Sequence, residues 1–271
     1  MDKNILIIAS TSELAQRTIA ELKNKGFNIY TTSRHDAGVM EEGIIEYKLD
    51  VTDEYSFIHL KEKFNNIKFD TIVNFAGIAI AGAVEELSEL EFKKQLDVNL
   101  FGLLKIIKHL CPCLAEKGKL INVSSMASYG IFPFLSPYCI SKASADILLN
   151  TYSLETGIKT VSIRPGAVAT KFWESSIELN KNILENKTKY TIEKEFIVKN
   201  ANNNSLHAAN PIAMAKKIAC IVQLKNPKPI YNLGLDSKFA KFTRFLPQNV
   251  INFIVRFILN NRIRKVDVEK R

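Results

Sequence analysis

The residues best suited to chemistry are a tyrosine and a lysine four positions apart, Tyr138 and Lys142, with Ser125 thirteen positions before the tyrosine. On a helix, positions i and i+4 share a face, so the lysine ammonium can lie beside the phenol ring and favour the phenolate. A free tyrosine titrates near about pH 10, and a lowered pKa makes it a usable acid or base near neutrality. Ser125 follows the apolar run Leu120–Val123 and can donate a hydrogen bond to a substrate oxygen. This set predicts proton transfer to or from an oxygen atom.

A Tyr-x-x-x-Lys pair alone is weak evidence, because a chain with eight tyrosines and this much lysine contains about one such pair by chance. A second pair, Tyr190 and Lys194, has no supporting partners. We therefore assign chemistry to Tyr138 and Lys142. The alternative for this pair is a surface tyrosine on an ordinary helix.

Two kinds of element must position these residues, because short apolar, β-branched runs alternate with longer segments of helical period. The runs are Ile5–Ile8, Phe27–Thr31, Ile44–Leu49, Thr71–Val73, Leu120–Val123 and Thr160–Ile163, with Pro229–Leu233 as a last strand. The alternation predicts an α/β fold, a single Rossmann-type doubly wound parallel sheet with helices on both faces. Ligands bind such sheets outside the carboxyl ends of the strands, where the residues after each run lie.

One large domain and a short extension account for the whole chain. Its 271 residues, 46% of them hydrophobic, suit one substantial core. We assign residues 1–238 to the Rossmann-type domain, with a mobile substrate lid or insertion at 172–206, where no clear strand pattern occurs. Asn210 and Pro211 begin a helix that ends near Leu224, because asparagine caps helices and proline suits their first position. Residues 239–271 form a basic amphipathic C-terminal extension.

The catalytic set resembles that of the classical short-chain dehydrogenase/reductase family, and further segments match in the right order. These segments are Asp50-Val51, Asn74-Phe75-Ala76-Gly77, Asn99 within Asp97–Gly102, and Pro165-Gly166-Ala167-Val168-Ala169-Thr170. The match covers most of the chain up to Thr170, and Pro229–Gly234 more weakly resembles retinol- and hydroxysteroid-dehydrogenase-like members. The resemblance implies that Tyr138 donates or accepts the proton while Ser125 orients the carbonyl and Lys142 activates the tyrosine. It also implies that Asn99, in a distorted helix, holds a water for a proton relay to the lysine.

The same resemblance implies a nicotinamide cofactor, held along the carboxyl edge of the sheet. The residues assigned to it are Ala9, Ser10, Thr11, Ser12, Leu14, Ser33, Arg34, Asp50, Val51, Asn74, Ala76, Gly77, Tyr138, Lys142, Pro165, Gly166, Val168 and Thr170. In this assignment the Val168 backbone and the Thr170 hydroxyl hold the nicotinamide carboxamide. Without the family, Asn99 is a mildly unfavourable polar residue within a helix, and Asp50 equally suits a helix start.

The phosphate loop departs from the family pattern Thr-Gly-x-x-x-Gly-x-Gly, because the segment from Ile8 to Ala15 contains no glycine. An alanine at the tight turn, here Ala9, adopts positive φ only at a cost, and Glu13 brings a carboxylate toward the pyrophosphate. The hydroxyls of residues 10–12 can still bind phosphates, and Glu13 can instead point to solvent and cap its helix. We expect the loop to bind the cofactor with reduced affinity.

The tip of the second strand indicates which cofactor is used. There Thr31-Thr32-Ser33-Arg34 has no acidic residue, whereas an NAD enzyme holds the ribose hydroxyls with one. Arg34 therefore favours NADP(H) over NAD(H). The alternative for Arg34 is a solvated surface charge.

The function predicted from these residues is an NADP-dependent oxidoreductase that transfers a hydride between the nicotinamide and a carbonyl or alcohol. Aromatic and aliphatic residues around the catalytic set predict an apolar pocket and a lipophilic substrate. They are Met126, Tyr129, Ile131, Phe132, Phe134, Leu135, Phe172 and Trp173, some of which suit the core instead. The alternative is motivated by the missing glycines and by the basic, apolar C-terminal tail. It is a non-catalytic or weakly catalytic nucleotide-binding or sensing protein on the same scaffold, which binds a membrane surface or a partner through that tail.

Composition bears on partners and surroundings. The formal net charge is +9, but the basic residues are spread along the chain without interleaved aromatics, which argues against nucleic-acid binding. The start lacks the pattern of a signal peptide, and four irregularly spaced cysteines do not form a disulfide framework, so we expect a cytoplasmic protein with reduced thiols. His109, Cys111 and Cys113 have no second ligand pair with zinc-like spacing, so no metal is predicted.

Two surfaces are candidates for larger partners. The family resemblance implies a homodimer or homotetramer through the helices that carry Asn99 and Tyr138. The extension 239–271 mixes phenylalanines with basic residues and is interrupted by Arg256, which makes it too short to cross a bilayer. It suits peripheral contact with an anionic membrane, or packing on its own domain or another subunit.

Overall fold

The computed structural model describes residues 3–23, 25–35, 39–41 and 44–268. Eight strands form one sheet in the order β3-β4-β2-β1-β5-β6-β7-β8. The strands are β1 Lys3–Ile8, β2 Phe27–Ser33, β3 Val39–Glu41, β4 Ile44–Lys48, β5 Phe69–Asn74, β6 Leu114–Val123, β7 Lys159–Pro165 and β8 Ile230–Leu233. All neighbouring pairs are parallel except β3 with β4. The predicted doubly wound α/β fold is therefore confirmed, with one short antiparallel edge strand that the sequence pattern did not indicate.

Helices cover both faces of the sheet and bury a core on each side. They are α1 Glu13–Lys23, α2 Glu54–Lys63, α3 Glu89–Leu96, α4 Gly102–Lys105, α5 Ser136–Thr156, α6 Phe172–Leu179, α7 Lys181–Glu185, α8 Thr191–His207, α9 Pro211–Gln223, α10 Leu235–Thr243 and α11 Gln248–Val268. One core packs α1 and α9 against the sheet, and the other packs α2, α4 and α5 against the opposite face. Both cores fix the carboxyl ends of the central strands, where the strand order reverses between β1 and β5.

Local signals place the helices that matter for the site. α5 has Pro137 in its first turn and ends at Gly157, whose φ of 73° is the left-handed conformation that glycine adopts without a Cβ penalty. Asn210 caps α9 by accepting hydrogen bonds from the Ile212 and Ala213 amides, as the sequence predicts. The 172–206 segment, predicted as a lid or insertion with no clear strand pattern, contains α6, α7 and most of α8.

The predicted boundary between the domain and the C-terminal extension, at residues 238 and 239, falls inside a helix. α10 continues through residues 238 and 239, and its Ser237 and Ala240 are buried. The Ser237 hydroxyl donates to the Arg164 carbonyl oxygen at 2.6 Å, which fixes the start of α10 to the end of β7. α11 then packs against α8. Among the described residues, none of the helices is both long enough and apolar enough to cross a bilayer.

Candidate active site

A cavity of about 1410 Å³ opens along the carboxyl ends of the strands. Most of the residues predicted for catalysis and cofactor binding line it. They are Ala9, Thr11, Ser12, Leu14, Ser33, Arg34, Asp50, Val51, Ala76, Gly77, Ser125, Tyr138, Lys142, Pro165, Gly166, Val168 and Thr170. The cavity lining does not include Ser10, Asn74 or Asn99, which lie behind it.

Tyr138 and Lys142 lie one turn apart on α5 and face the cavity together. Lys142 Nζ is 5.7 Å from the centre of the Tyr138 ring and donates to the Val123 carbonyl oxygen at 3.2 Å. Ser125 lies two residues after the end of β6, and its hydroxyl hydrogen-bonds Tyr138 and accepts from the Ala127 amide at 3.1 Å. A phenol, a cation and a second hydroxyl therefore meet at one wall of the cavity.

The electrostatics of this pair differ from the sequence expectation. Burial raises the pKa of Tyr138 to about 12, and the hydrogen bond from Ser125 opposes the rise only partly. Burial lowers the pKa of Lys142 to about 8, against the opposing charge of Asp146. The expected lowering of the tyrosine pKa by Lys142 is therefore wrong for this structure, because desolvation of the phenolate is the larger effect. At neutral pH Tyr138 keeps its proton and Lys142 keeps its charge.

Asn99 supports the catalytic wall from behind. It lies in a π-helical turn, Asp97–Phe101, between α3 and α4, a distortion often found at functional sites. Its side chain accepts from the Ile78 amide at 2.9 Å and donates to the Ser141 hydroxyl at 3.0 Å. A Cβ on Gly77 would lie 3.2 Å from Lys142 Nζ and 3.5 Å from Asn99 Oδ1. Gly77 therefore leaves the space between the lysine and the asparagine open.

The phosphate loop folds without glycine, but its first residue is strained. Ala9 has a φ of 62°, the left-handed conformation that the family's glycine would adopt freely. Ser12 caps α1 by accepting from the Ala15 amide at 3.2 Å. Glu13 neither points to solvent nor faces the cavity unpaired, since it accepts from Arg17 Nη2 at 2.7 Å and from the Lys171 amide at 3.1 Å. The Arg17 guanidinium holds the pKa of Glu13 below its usual value and offsets its charge near the loop.

We expect Ala9→Val to lower the free energy of unfolding by roughly 2 kcal/mol or more, because a β-branched residue is an outlier at positive φ. Ala9→Gly should change it by less than about 1 kcal/mol, because relief of strain is offset by a more flexible unfolded chain. Urea denaturation of the three proteins measures both changes. Equal stability of the valine and glycine variants would contradict the left-handed conformation of Ala9.

Two predicted cofactor residues have structural roles instead. The Ser10 hydroxyl, predicted to bind phosphate, is buried and donates to Glu46 Oε1 at 2.7 Å. Asn74 donates to Asn122 Oδ1 at 2.8 Å and accepts from the Ala76 amide at 3.0 Å. Asn74 therefore holds the chain after β5 in place, and Ser10 ties the phosphate loop to β4.

The cavity lining carries polar groups that suit a polar ligand. Arg34 is exposed directly after β2, next to the buried Ser33. Ser33 Oγ and Ser124 Oγ are buried and have no hydrogen-bond partner within the described part of the chain, although both residues line the cavity. Asp50 accepts from the Thr52 amide and hydroxyl at 2.8 and 2.7 Å, which fixes the loop after β4. Buried hydroxyls without partners are uncommon, so these groups fit a polar ligand that satisfies them.

The turn after β7 is held by a residue that sequence reasoning missed. Asp236, at the start of α10, accepts from the Ala167 amide at 2.7 Å. A Cβ on Gly166 would lie 1.8 Å from Asp236 Oδ1, so this glycine admits the carboxylate. The two residues are far apart in sequence, and no local motif links them. Asp236 thereby connects the predicted nicotinamide turn to the C-terminal helices.

The lid helices are anchored to the rest of the cleft. Asn180, 1% exposed, donates to the Ala79 carbonyl oxygen at 2.8 Å and accepts from the Ala81 amide at 3.0 Å. Lys194, 3% exposed, forms an ion pair with Glu86 at 2.8 Å, which gives this lysine a structural role. The chain segments on either side of residues 172–206 meet after β7, where the Ala169 amide donates to the Ala209 carbonyl oxygen.

The substrate end of the cavity is mainly apolar. Phe172 packs against Tyr138 with ring centres 6.3 Å apart, and Trp173 is fixed by a hydrogen bond from Nε1 to the Val168 carbonyl oxygen at 2.7 Å. Phe196 and Ile197 of α8 also line the cavity, and no pattern in the sequence indicated them. Met126, Phe132 and Leu135 line the cavity as expected, but Tyr129, Ile131 and Phe134 do not. Tyr129 instead stacks on the Arg164 guanidinium, 4.3 Å from its ring centre.

The described residues contain no group of three or more His, Cys, Asp or Glu side chains that could hold a metal ion. His109 instead lies against the Phe57 ring and pairs with Glu54 at 2.5 Å.

Comparison with known proteins agrees with this architecture. A family model described as short chain dehydrogenase matches residues 3–181, well over half of the chain. The 3-amino-tetrahydro-pyrrolizinone reductase of Xenorhabdus hominickii is 27% identical over 254 residues, 87% of this chain and 88% of that protein. The 3-ketodihydrosphingosine reductase of Bacteroides thetaiotaomicron is 28% identical over 270 residues, 93% and 96% of the two chains. A short chain dehydrogenase from Burkholderia cenocepacia J2315, solved in complex with NADP, has the same fold, with a TM-score of 0.70, 16% identity, and coverage of 94% and 98%.

Proposed function

The chain belongs to the short-chain dehydrogenase family of oxidoreductases, and from this membership we propose that it is an NADP(H)-dependent reductase of a lipophilic ketone or aldehyde. The observation that carries the proposal is the meeting of Ser125, Tyr138 and Lys142 at one wall of a cavity whose other end offers Arg34. Two relatives named as reductases support the direction of the reaction.

The proposed reaction assigns each residue one task. Bound nicotinamide supplies the hydride, and Tyr138 donates its proton to the substrate oxygen. With a pKa of about 12, Tyr138 is protonated at neutral pH, which is the form that carbonyl reduction requires. Ser125 orients the carbonyl through its hydroxyl, and the Lys142 ammonium stabilises the tyrosinate that forms. Lys142 carries this charge below about pH 8.

The cofactor is proposed to lie along the remaining lining residues. The amide groups at the start of α1 and the hydroxyls of Thr11 and Ser12 suit the pyrophosphate. Arg34 and Ser33 suit a 2′-phosphate, because guanidinium and hydroxyl groups are the natural donors to phosphate oxygens. The turn from Pro165 to Thr170 suits the nicotinamide carboxamide.

Fluorescence titration of the purified protein with NADPH and NADH, followed by assay of lipophilic ketones with the better cofactor, tests the proposal. Tight NADPH binding and cofactor oxidation dependent on ketone support it. If neither cofactor binds, the protein is not this reductase, and the alternative of a sensing protein that does not use the cofactor replaces it.

We further propose that the chain assembles through α3, α4 and α5. Ile140, Ile147 and Leu154 form a stripe of seven-residue spacing along α5, each exposed, with Leu154 79% exposed. Phe101, between α3 and α4, is exposed too. A stripe of this type on a long helix is the usual surface for an isologous dimer contact.

Ile147→Glu should therefore convert the oligomer to monomer, since a carboxylate in an apolar helix contact is left unpaired. Size-exclusion chromatography with light scattering measures the mass. Ile58→Glu, which places the same charge at an exposed position of α2, is the matched control and should leave the mass unchanged. If the wild type is oligomeric and both variants keep its mass, the subunit contact must lie on a surface other than this stripe of α5.

A further inference from the structure

The C-terminal helices expose a phenylalanine surface that the proposed reaction does not use. On α10, Leu235, Phe239 and Phe242 are 83, 69 and 66% exposed. Their spacing of four and three residues places them on one face of the helix. Ser237 and Ala240, which are buried, lie on the opposite face. The apolar face of α10 is therefore directed away from the domain that the helix packs on.

The same arrangement continues in the next helix. Phe245 lies in the short connection after α10, and Phe253 and Phe257 lie on α11, all strongly exposed. The Phe253 and Phe257 rings stack with centres 6.3 Å apart, which shows that they share one outer face. Five exposed phenylalanines present on the order of several hundred Å² of apolar surface, more than an ordinary monomer leaves in water without a use.

The charges beside these rings identify the partner. The sequence between Asp236 and Asp267 contains no acidic residue and seven basic ones: Lys238, Lys241, Arg244, Arg256, Arg262, Arg264 and Lys265. On α10, Lys238 and Lys241 border the exposed phenylalanines, so their ammonium groups can reach outward while the rings insert. An apolar face in a segment whose charged residues from Lys238 to Lys265 are all basic complements an anionic lipid surface better than a mixed-charge protein surface.

The position of this surface relates it to the cavity. Asp236, in the first turn of α10, holds the turn after Gly166, and α11 packs against α8, whose Phe196 and Ile197 line the cavity. Each of the two helices therefore contacts an element that lines the cleft. A lipophilic substrate held in a membrane would then lie close to the side of the molecule that receives it.

We propose that α10 and α11 dock this protein on an anionic membrane surface, with Phe239, Phe242, Phe253 and Phe257 inserted among the lipids and the neighbouring lysines and arginines at the headgroups. Only the reason for docking, which is access to a lipophilic carbonyl substrate in the membrane, rests on the proposed function. The binding itself depends on these two helices alone.

Flotation of the full-length protein with phosphatidylcholine vesicles, with and without phosphatidylserine, tests the docking. Wild type should float with the anionic vesicles and much less with the neutral ones. Lys238→Gln with Lys241→Gln should reduce the partition coefficient about tenfold or more, and Phe242→Ser with Phe253→Ser by a similar factor. The matched control, Lys216→Gln with Lys217→Gln at two exposed positions of α9, should float like the wild type.

Circular dichroism and NADPH titration check that each variant is folded. Absence of flotation, or equal flotation of all variants, would overturn the docking. Loss of an oligomer in the phenylalanine variant without lipid binding would overturn it too and assign the surface to a second copy of the chain. Flotation as expected, together with no ketone reduction, leaves the docking supported and refutes the proposed reductase instead.

Discussion

Tyr138→Phe is expected to reduce the rate of ketone reduction by roughly 10²- to 10⁴-fold, the usual contribution of a positioned general acid. The substitution removes only the hydroxyl that donates the proton and keeps the ring that packs against Phe172. NADPH binding should change little, because the phosphate loop and Arg34 are untouched. Single-turnover measurement of cofactor oxidation, with a parallel fluorescence titration, separates these two effects.

The chain provides a matched control for this experiment. Tyr190 is followed by Lys194 at the same spacing as Tyr138 and Lys142, but Lys194 is bound to Glu86 and Tyr190 packs against Phe134. Tyr190→Phe should therefore retain a rate near that of the wild type. If Tyr138→Phe turned over as fast as Tyr190→Phe, the proton would have to come from another group, and the proposed mechanism would fail.

The fold could be predicted because most of its strands coincide with short apolar runs in the sequence. Six apolar runs and the Pro229–Leu233 segment all correspond to strands of the central parallel sheet. The strand that was missed, Val39–Glu41, has three residues and pairs antiparallel with β4 at the edge of the sheet. A strand of this length has too few positions for an alternating pattern, so pairing with its neighbour determines it rather than its own sequence.

The site could be predicted where its residues are close in sequence. Tyr138 and Lys142 share one helix, and Pro165 to Thr170 form one turn, so spacing alone identifies them. Asp236 and Asn180 could not be found in this way, because they contact Ala167 and Ala81, which are 69 and 99 positions away. Only the three-dimensional fold brings these groups together.

An energetic prediction from the sequence was correct where it depends on the backbone conformation of a single residue. The positive φ expected for an alanine at the phosphate turn is present at Ala9, because the turn geometry leaves no other conformation for that position. The prediction that the pKa of Tyr138 is lowered was wrong. Burial, which depends on the packing of the whole cleft, raises this pKa by more than the neighbouring groups lower it. The negative charge of Glu13 near the phosphate loop is offset by an ion pair with Arg17, one helical turn further along α1.

Arg34→Ala is expected to weaken NADPH binding by roughly 10- to 100-fold, since a charge-assisted hydrogen bond contributes about 1.5–3 kcal/mol. NADH, which lacks the 2′-phosphate, should lose less than about threefold from the same substitution. Fluorescence titrations with both cofactors measure the two dissociation constants on the same protein samples.

Lys25→Ala is the control for net charge, because it removes one positive charge in the turn before β2, at the opposite end of the strand that presents Arg34. It should leave both dissociation constants near those of the wild type, since surface charges separated by more than a Debye length are screened in salt. Equal weakening of NADPH and NADH by Arg34→Ala would mean that the residue contacts a group common to both cofactors. If the wild type bound NADH more tightly than NADPH, we would conclude that Arg34 is a solvated surface charge. The loop at Asp50 would then be the next candidate for binding the ribose. Selective loss of NADPH, by contrast, requires a contact with the 2′-phosphate, because that group is the chemical difference between the two cofactors.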